Sequence, residues 1–198
     1  MVDFPKSKWD HNWGIDEKNA LFLDTFVKNN KPKLILETGT FEGQATYVMA
    51  QAANQNNNNC KIYTIDYNGD PTSDFEMEKW LRLKSIRDEN LKNIEHNFKN
   101  VEVNFVEGDS REVLKDLFNQ DDVIDLFYQD SMHFKDGIIA EWNLVEKNIT
   151  KNSKIIFDDL QLKGVQQFRD WFQNKYKSLY SYQVINDGHK QFIVNKLD

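Results

Sequence analysis

Residues Leu34-Ile35-Leu36-Glu37-Thr38-Gly39-Thr40-Phe41-Glu42-Gly43 pass from an apolar stretch through a carboxylate into a glycine loop. Residues 44–53 then read as a helix, with Ala45, Val48, Met49 and Ala52 on its inner face. A strand, a glycine turn and a helix in that order put a ligand at the carboxyl end of a parallel strand. The glycines let the backbone approach that ligand closely, because a Cβ there would collide with it.

The same alternation continues along the chain. Strands are expected at 33–36, 61–65, 101–106, 124–128 and 154–157. A helix is expected at 15–28, with Leu23, Phe26 and Val27 on one face. Between and after the strands, helical stripes are carried by Leu91, Ile94 and Phe98; by Val113, Leu114, Leu117 and Phe118; by Ile138, Trp142, Val145 and Ile149; and by Val165, Phe168 and Phe172. Residues 68–80 read as a loop, opened by Asn68-Gly69-Asp70-Pro71. Near the end, 182–185 and 191–194 flank Asn186-Asp187-Gly188, a hairpin turn signal. The fold class is therefore α/β: a doubly wound, Rossmann-like sheet, mostly parallel, with an antiparallel C-terminal hairpin. Residues 15–198 form one domain, and the aromatic segment 1–14 (Trp9, His11, Trp13) reads as a lid or leader.

The balance of 25 basic and 32 acidic residues gives a net charge of −7, which argues against nucleic acid as the main partner. Cys60 is the single cysteine, so no intrachain disulfide forms and a reducing compartment is expected. Neither a signal-peptide core nor a bilayer-length apolar run is present, so a soluble cytoplasmic protein is expected.

Four of the five parallel strands run into a carboxylate: Glu37, Asp66, Asp130 and Asp158. Asp109 follows the third. A row of acids on one sheet edge calls for something positive among them: a cationic cofactor, a metal ion, or both. A dinucleotide is a poor answer. Phe41 stands where the fingerprint needs its middle glycine, and Glu37 would lie near the pyrophosphate.

The segment Glu37 to Gly43 resembles the first motif of class I S-adenosylmethionine-dependent methyltransferases, in the flavour of the catechol and caffeoyl-coenzyme A O-methyltransferase branch. That resemblance implies the class I methyltransferase fold and a cofactor, S-adenosylmethionine, that carries a sulfonium cation and no phosphate. It implies cofactor contacts from Glu37, Thr38, Gly39, Thr40, Phe41 and Gly43; from Asp66, which matches the acid holding the ribose hydroxyls, with Tyr67 beside it; and from Asp130. Asp109 and Ser110 match the segment bordering the adenine. Taken alone, Asp66 also suits a solvated strand-end acid, and Gly108-Asp109-Ser110 a plain turn.

Asp130 and the pair Asp158-Asp159 match the acids of metal-dependent O-methyltransferases and imply a Mg²⁺ or other divalent cation held by three oxygens. The stretch from Asp130 through His133 to Trp142 is similar to the Asp-x-x-His element of macrolide-sugar and cephalosporin-biosynthesis methyltransferases. In the catechol branch a lysine takes the place of His133.

The activity so implied is O-methylation of a small hydroxylated molecule, sugar or phenol-like. Asp130 and His133 are the catalytic candidates, with His133 removing the hydroxyl proton. Plainer roles fit the same residues: His133 as a cap or packing residue of its helix, Asp159 as the approach to a helix with no metal. Two other readings stand beside the enzyme: a non-catalytic S-adenosylmethionine-binding protein within a larger assembly, and a nucleic-acid methyltransferase. A homo-oligomer is compatible with the family, whose lids often meet a partner subunit.

Overall fold

The computed structural model of this chain describes Pro5 and residues 14–67, 74–185 and 190–197. Among them the order is α1 (Glu17–Asn30), β1 (Leu34–Thr38), α2 (Gln44–Gln55), β2 (Cys60–Asp66), α3 (Asp74–Asn97), β3 (Val101–Glu107), α4 (Ser110–Asp116), β4 (Leu126–Gln129), α5 (Lys135–Val145), β5 (Lys154–Phe157), α6 (Lys163–Lys175), β6 (Tyr180–Ile185) and β7 (Gln191–Lys196). The strands form one sheet in the order β3-β2-β1-β4-β5-β7-β6, with β7 antiparallel to both neighbours. The chain moves outward from β1 to β3, then returns to place β4 on the other side of β1. That reversal opens a crevice at the carboxyl ends of β1 and β4, where open α/β sheets bind ligands.

Side-chain alternation divides the core between the two faces of the sheet. Ile35, Tyr128 and Ile156 pack on one face with Leu23, Val27, Val48, Met49 and Ile94 from α1, α2 and α3. Leu36, Phe127 and Phe157 pack on the other with Leu114, Trp142, Val165, Phe168 and Phe172 from α4, α5 and α6. Trp142 lies edge-on to Phe172, Tyr176 and Tyr180, and its indole N–H donates to the Tyr176 hydroxyl at 3.1 Å. No helix among the described residues is long and apolar enough to cross a membrane.

The elements follow the expected order, and their limits shift for local reasons. β4 begins two residues later than expected. The Asp125 carboxylate instead accepts the backbone N–H groups of Lys33 and Leu34, at 2.8 and 2.9 Å, and pins the start of β1. β1 continues to Thr38, so Glu37 is a strand residue paired with Thr64 and Tyr128 rather than a residue following the strand. Residues 74–80, read as loop, belong to α3. Ile185 pairs with Gln191, which establishes the antiparallel hairpin. Its turn residues, like His189 and nearly all of 1–14, lie outside the described residues.

Candidate active site

The site begins where β1 gives way to the glycine loop. Gly39 has φ 93°, and its N–H donates to the Ile65 carbonyl at 2.8 Å. A Cβ on Gly39 would lie 2.3 Å from the Asp130 carbonyl oxygen, so the loop rests directly on the backbone leaving β4. Phe41 has φ 47°, a conformation that disfavours a bulky residue. Its N–H donates to Asp66 Oδ2 at 2.6 Å. The hydroxyls of Thr40 and Thr64 lie 2.6 Å apart, and Asn90 Nδ2 donates to the Glu42 carbonyl at 2.7 Å. The loop is thus fixed from β2, β4 and α3 together.

A cavity of about 730 Å³ opens in front of it, within the ordinary range for small-molecule sites of about 300–1,000 Å³. One end is formed by Ile65 and Asp66 of β2, by Tyr67 that follows it, and by Gly108, Asp109, Ser110 and Arg111 after β3. Gly39 and Phe41 border the middle. The other end is formed by Asp130 to His133, Asp159, Gln161 and Leu162. Of the residues singled out from the sequence, Gly39, Phe41, Asp66, Tyr67, Asp109, Ser110, Asp130, His133 and Asp159 line this one space. Thr40 and Asp158 border a smaller cavity beside it, together with Asp130 and Asp159. Glu37 and Thr38 lie fully buried beneath, and Gly43 serves as the residue before α2.

Charge is arranged unevenly along the cavity. Loss of water pushes the Asp66 carboxyl up, while the Phe41 N–H and the positive charge of Arg87 pull it down. Arg87 is fully buried, its guanidinium 4.0 Å from the centre of the Phe105 ring. Asp109 is the N-cap of α4 and is held below the usual carboxylate range by Arg111, whose guanidinium donates to both its oxygens at 2.9 and 2.5 Å.

At the far end His133 Nε2 lies 3.0 Å from Asp159 Oδ2 and 3.7 Å from Asp130 Oδ1. The two carboxylates, Asp130 first and then Asp159, push the imidazole up to about 10. Asp130 is itself pushed up, first by loss of water and then by Asp158 and Asp159, with His133 opposing. Asp159 has φ 56°, and this turn brings its carboxylate to His133.

One ligand atom each from Asp130, His133 and Asp159 lie within 4.8 Å of one another. The set that converges is therefore not the three carboxylates read from the sequence. Asp158 is buried, its Oδ2 accepts the Tyr128 hydroxyl and its Oδ1 accepts the Asp159 N–H at 2.9 Å. Two carboxylates and an imidazole fit a divalent cation, and the imidazole widens the choice from Mg²⁺ toward Mn²⁺, Fe²⁺ or Zn²⁺.

Glu37 acts from below. Its Oε2 accepts the Thr46 hydroxyl in the first turn of α2. Burial pushes its carboxyl up to about 7, against hydrogen bonds from Thr46 and Thr64 that lower it. The folded state therefore binds a proton more tightly than the unfolded chain. Stability falls as pH rises from about 4.5 to about 7 and levels off above that. Glu37→Gln is expected to remove this slope and to raise stability at pH 8 by about 3 kcal/mol. Urea denaturation from pH 4.5 to 8 checks this; an unchanged slope in the variant would refute it.

Sequence reasoning missed Glu141 and Arg87. Glu141 lies on the apolar stripe of α5, three residues after Ile138 and beside Trp142. An acid on an apolar stripe is a signal, since carboxylates are almost never fully buried without a partner.

A family model described as a methyltransferase domain matches residues 36–160, well over half of the chain. No curated protein matches the chain in sequence. Among solved structures, the chain is similar to the O-methyltransferase TomG of Streptomyces achromogenes, involved in tomaymycin synthesis and solved with SAM. The TM-score is 0.70 at 15% identity, covering 93% of this chain and 82% of that one. An O-methyltransferase of Bacillus cereus in complex with SAH gives 0.66 at 17% identity, with 95% and 84% covered. CalS11, a TDP-rhamnose 3'-O-methyltransferase of calicheamicin biosynthesis, gives 0.67 at 20% identity, with 91% and 80% covered. At these identities the likeness is one of fold.

Proposed function

Because the chain belongs to the methyltransferase-domain family, we propose that it transfers a methyl group from S-adenosylmethionine to a hydroxyl of a small molecule, with a divalent cation held by the carboxylates of Asp130 and Asp159 and the His133 imidazole left beside it as the base. One observation carries this reading. A single cavity joins the Gly39 loop and Asp66 at one end to an Asp-His-Asp cluster at the other. The fold likeness to CalS11, a TDP-rhamnose 3'-O-methyltransferase, and the Asp130-to-His133 spacing favour a sugar or sugar-like acceptor. The acceptor enters between His133, Gln161 and Leu162, where the cavity wall turns partly apolar.

Asp66 has one oxygen on the Phe41 N–H and its other oxygen for the ribose hydroxyls. Gly39 lets the chain pass close to the donor, and the carboxylates at the far end favour the positive sulfonium. The cation, when bound, polarises the acceptor hydroxyl and eases its ionisation. His133 supplies the proton acceptor, three residues after Asp130. In the arrangement described, the two carboxylates hold its proton; positive charge placed on Asp130 and Asp159 weakens that hold and frees the imidazole to act as a base. The protein's further contribution is to align acceptor oxygen, methyl carbon and sulfur.

The test is a methyl-release assay over a panel of sugars, alcohols and phenols. His133→Ala is expected to lower turnover about 10²–10⁴-fold while leaving S-adenosylhomocysteine affinity nearly unchanged. Turnover near wild type would remove the base assignment. A chelator is expected to suppress turnover, and full activity in its presence would remove the cation while keeping the methyltransferase. Donor binding with no turnover on any acceptor would favour a binding protein instead.

A further inference from the structure

Two loops that line the cavity from different strands are tied to one buried carboxylate. Glu141 on α5 is fully buried, and its Oε1 accepts the hydroxyls of Ser110, at the start of α4, and of Ser131, which follows Asp130, the latter at 2.6 Å. Its Oε2 is buried with no hydrogen-bond partner among the described residues. Loss of water pushes this carboxyl up, and the two serine hydroxyls first, then Gln129 and Thr38 nearby, pull it back. An apolar side chain would fill the same place in the α5 stripe without that penalty. The position therefore calls for an explanation beyond packing.

A serine hydroxyl has a single proton. When that proton points at Glu141, the oxygen offers only lone pairs to whatever approaches from the other side. Ser110 and Ser131 both line the large cavity. They share one carboxylate oxygen, so their hydroxyls are neighbours. The cavity wall between them is an acceptor edge, suited to a ligand that donates N–H.

We propose that Glu141 is a positioning residue that fixes Ser110 and Ser131 as acceptors, so that the cavity selects the exocyclic amino group of the donor's purine. The assignment rests on the donor reading above: the sulfur lies toward Asp130 and His133 and the ribose at Asp66, which leaves the base beside Gly108 to Ser110. A purine with a 6-oxo group presents an acceptor to acceptors there and is rejected.

Calorimetric titration with S-adenosylhomocysteine and S-inosylhomocysteine tests this. The wild-type protein is expected to prefer the adenosyl compound at least about tenfold. In Glu141→Leu no oxygen holds the two serine protons, and either hydroxyl can turn its proton toward the cavity. The preference is then expected to fall to within about twofold, with inosyl affinity kept or improved. Equal weakening of both compounds with the ratio intact would mark a structural tie only and overturn the proposal, as would a wild-type protein with no preference. If Glu141→Leu does not fold, the Ser110→Ala/Ser131→Ala variant reads the same ratio, and an unchanged ratio there overturns it too. A wild-type protein that binds neither compound refutes the donor reading itself, a result distinct from the loss of preference.

Discussion

Gly39→Ala is expected to abolish S-adenosylhomocysteine binding and to destabilise the fold by about 3 kcal/mol or more, the sum of a left-handed backbone penalty and an overpacked contact. The new Cβ would meet the Asp130 carbonyl oxygen at 2.3 Å, the Asp130 carbonyl carbon at 2.5 Å and the Ser131 nitrogen at 2.8 Å. All three are backbone atoms, so no side chain can rotate away. Relief requires the loop to lift off β4, which parts Phe41 from Asp66 and separates the two ends of the cavity. Gly43 supplies the control. Its φ is 75°, but the nearest atom to an added Cβ is 3.8 Å away. Gly43→Ala therefore carries only the conformational penalty, about 1 kcal/mol, and should still bind the compound. Urea denaturation and calorimetry on both variants check the contrast. A folded Gly39→Ala protein with wild-type affinity would show that the loop does not depend on its contact with Asp130.

Asp130→Asn is expected to lower turnover about 10³-fold, because it removes a full charge at the reacting end and loosens His133 together. Affinity for S-adenosylhomocysteine, held mainly at Asp66 and the glycine loop, should change by less than about tenfold. The substitution also removes the largest influence holding the proton on His133. Its titration, followed by imidazole NMR in the protein without added metal, should therefore move from about 10 to lower pH. An unmoved His133 titration would show that Asp130 does not govern the imidazole; unaltered turnover would take Asp130 out of the mechanism.

Much of this was legible from the order of residue types. Ile35 and Leu36, Phe127 and Tyr128, and Ile155 and Ile156 are adjacent apolar residues that a sheet covered on both faces demands, and both faces are indeed covered. The Gly39 loop was legible because few structures need an apolar strand, an acid and two spaced glycines. What sequence could not give were contacts set by loop conformation. Asp158 and Asp159 are equivalent acids on paper. The left-handed backbone at Asp159 sends its carboxylate to His133, while Asp158 turns into the core beside the Tyr128 hydroxyl. The first turns of α3 were hidden because a polar helix lacks the apolar stripe that marks one. Glu141 carried a signal on the apolar stripe of α5, but its partners did not, because the two serines that converge on it come from other elements.

The most direct measurement is a crystal structure of the wild-type protein grown with S-adenosylhomocysteine. The ribose hydroxyls should lie on the Asp66 carboxylate, the chain of the donor should pass Gly39, and the sulfur should face Asp130 and His133. An empty cavity at saturating S-adenosylhomocysteine, or the compound bound away from Gly39 and Asp66, would contradict the assignment of this space to a methyl donor.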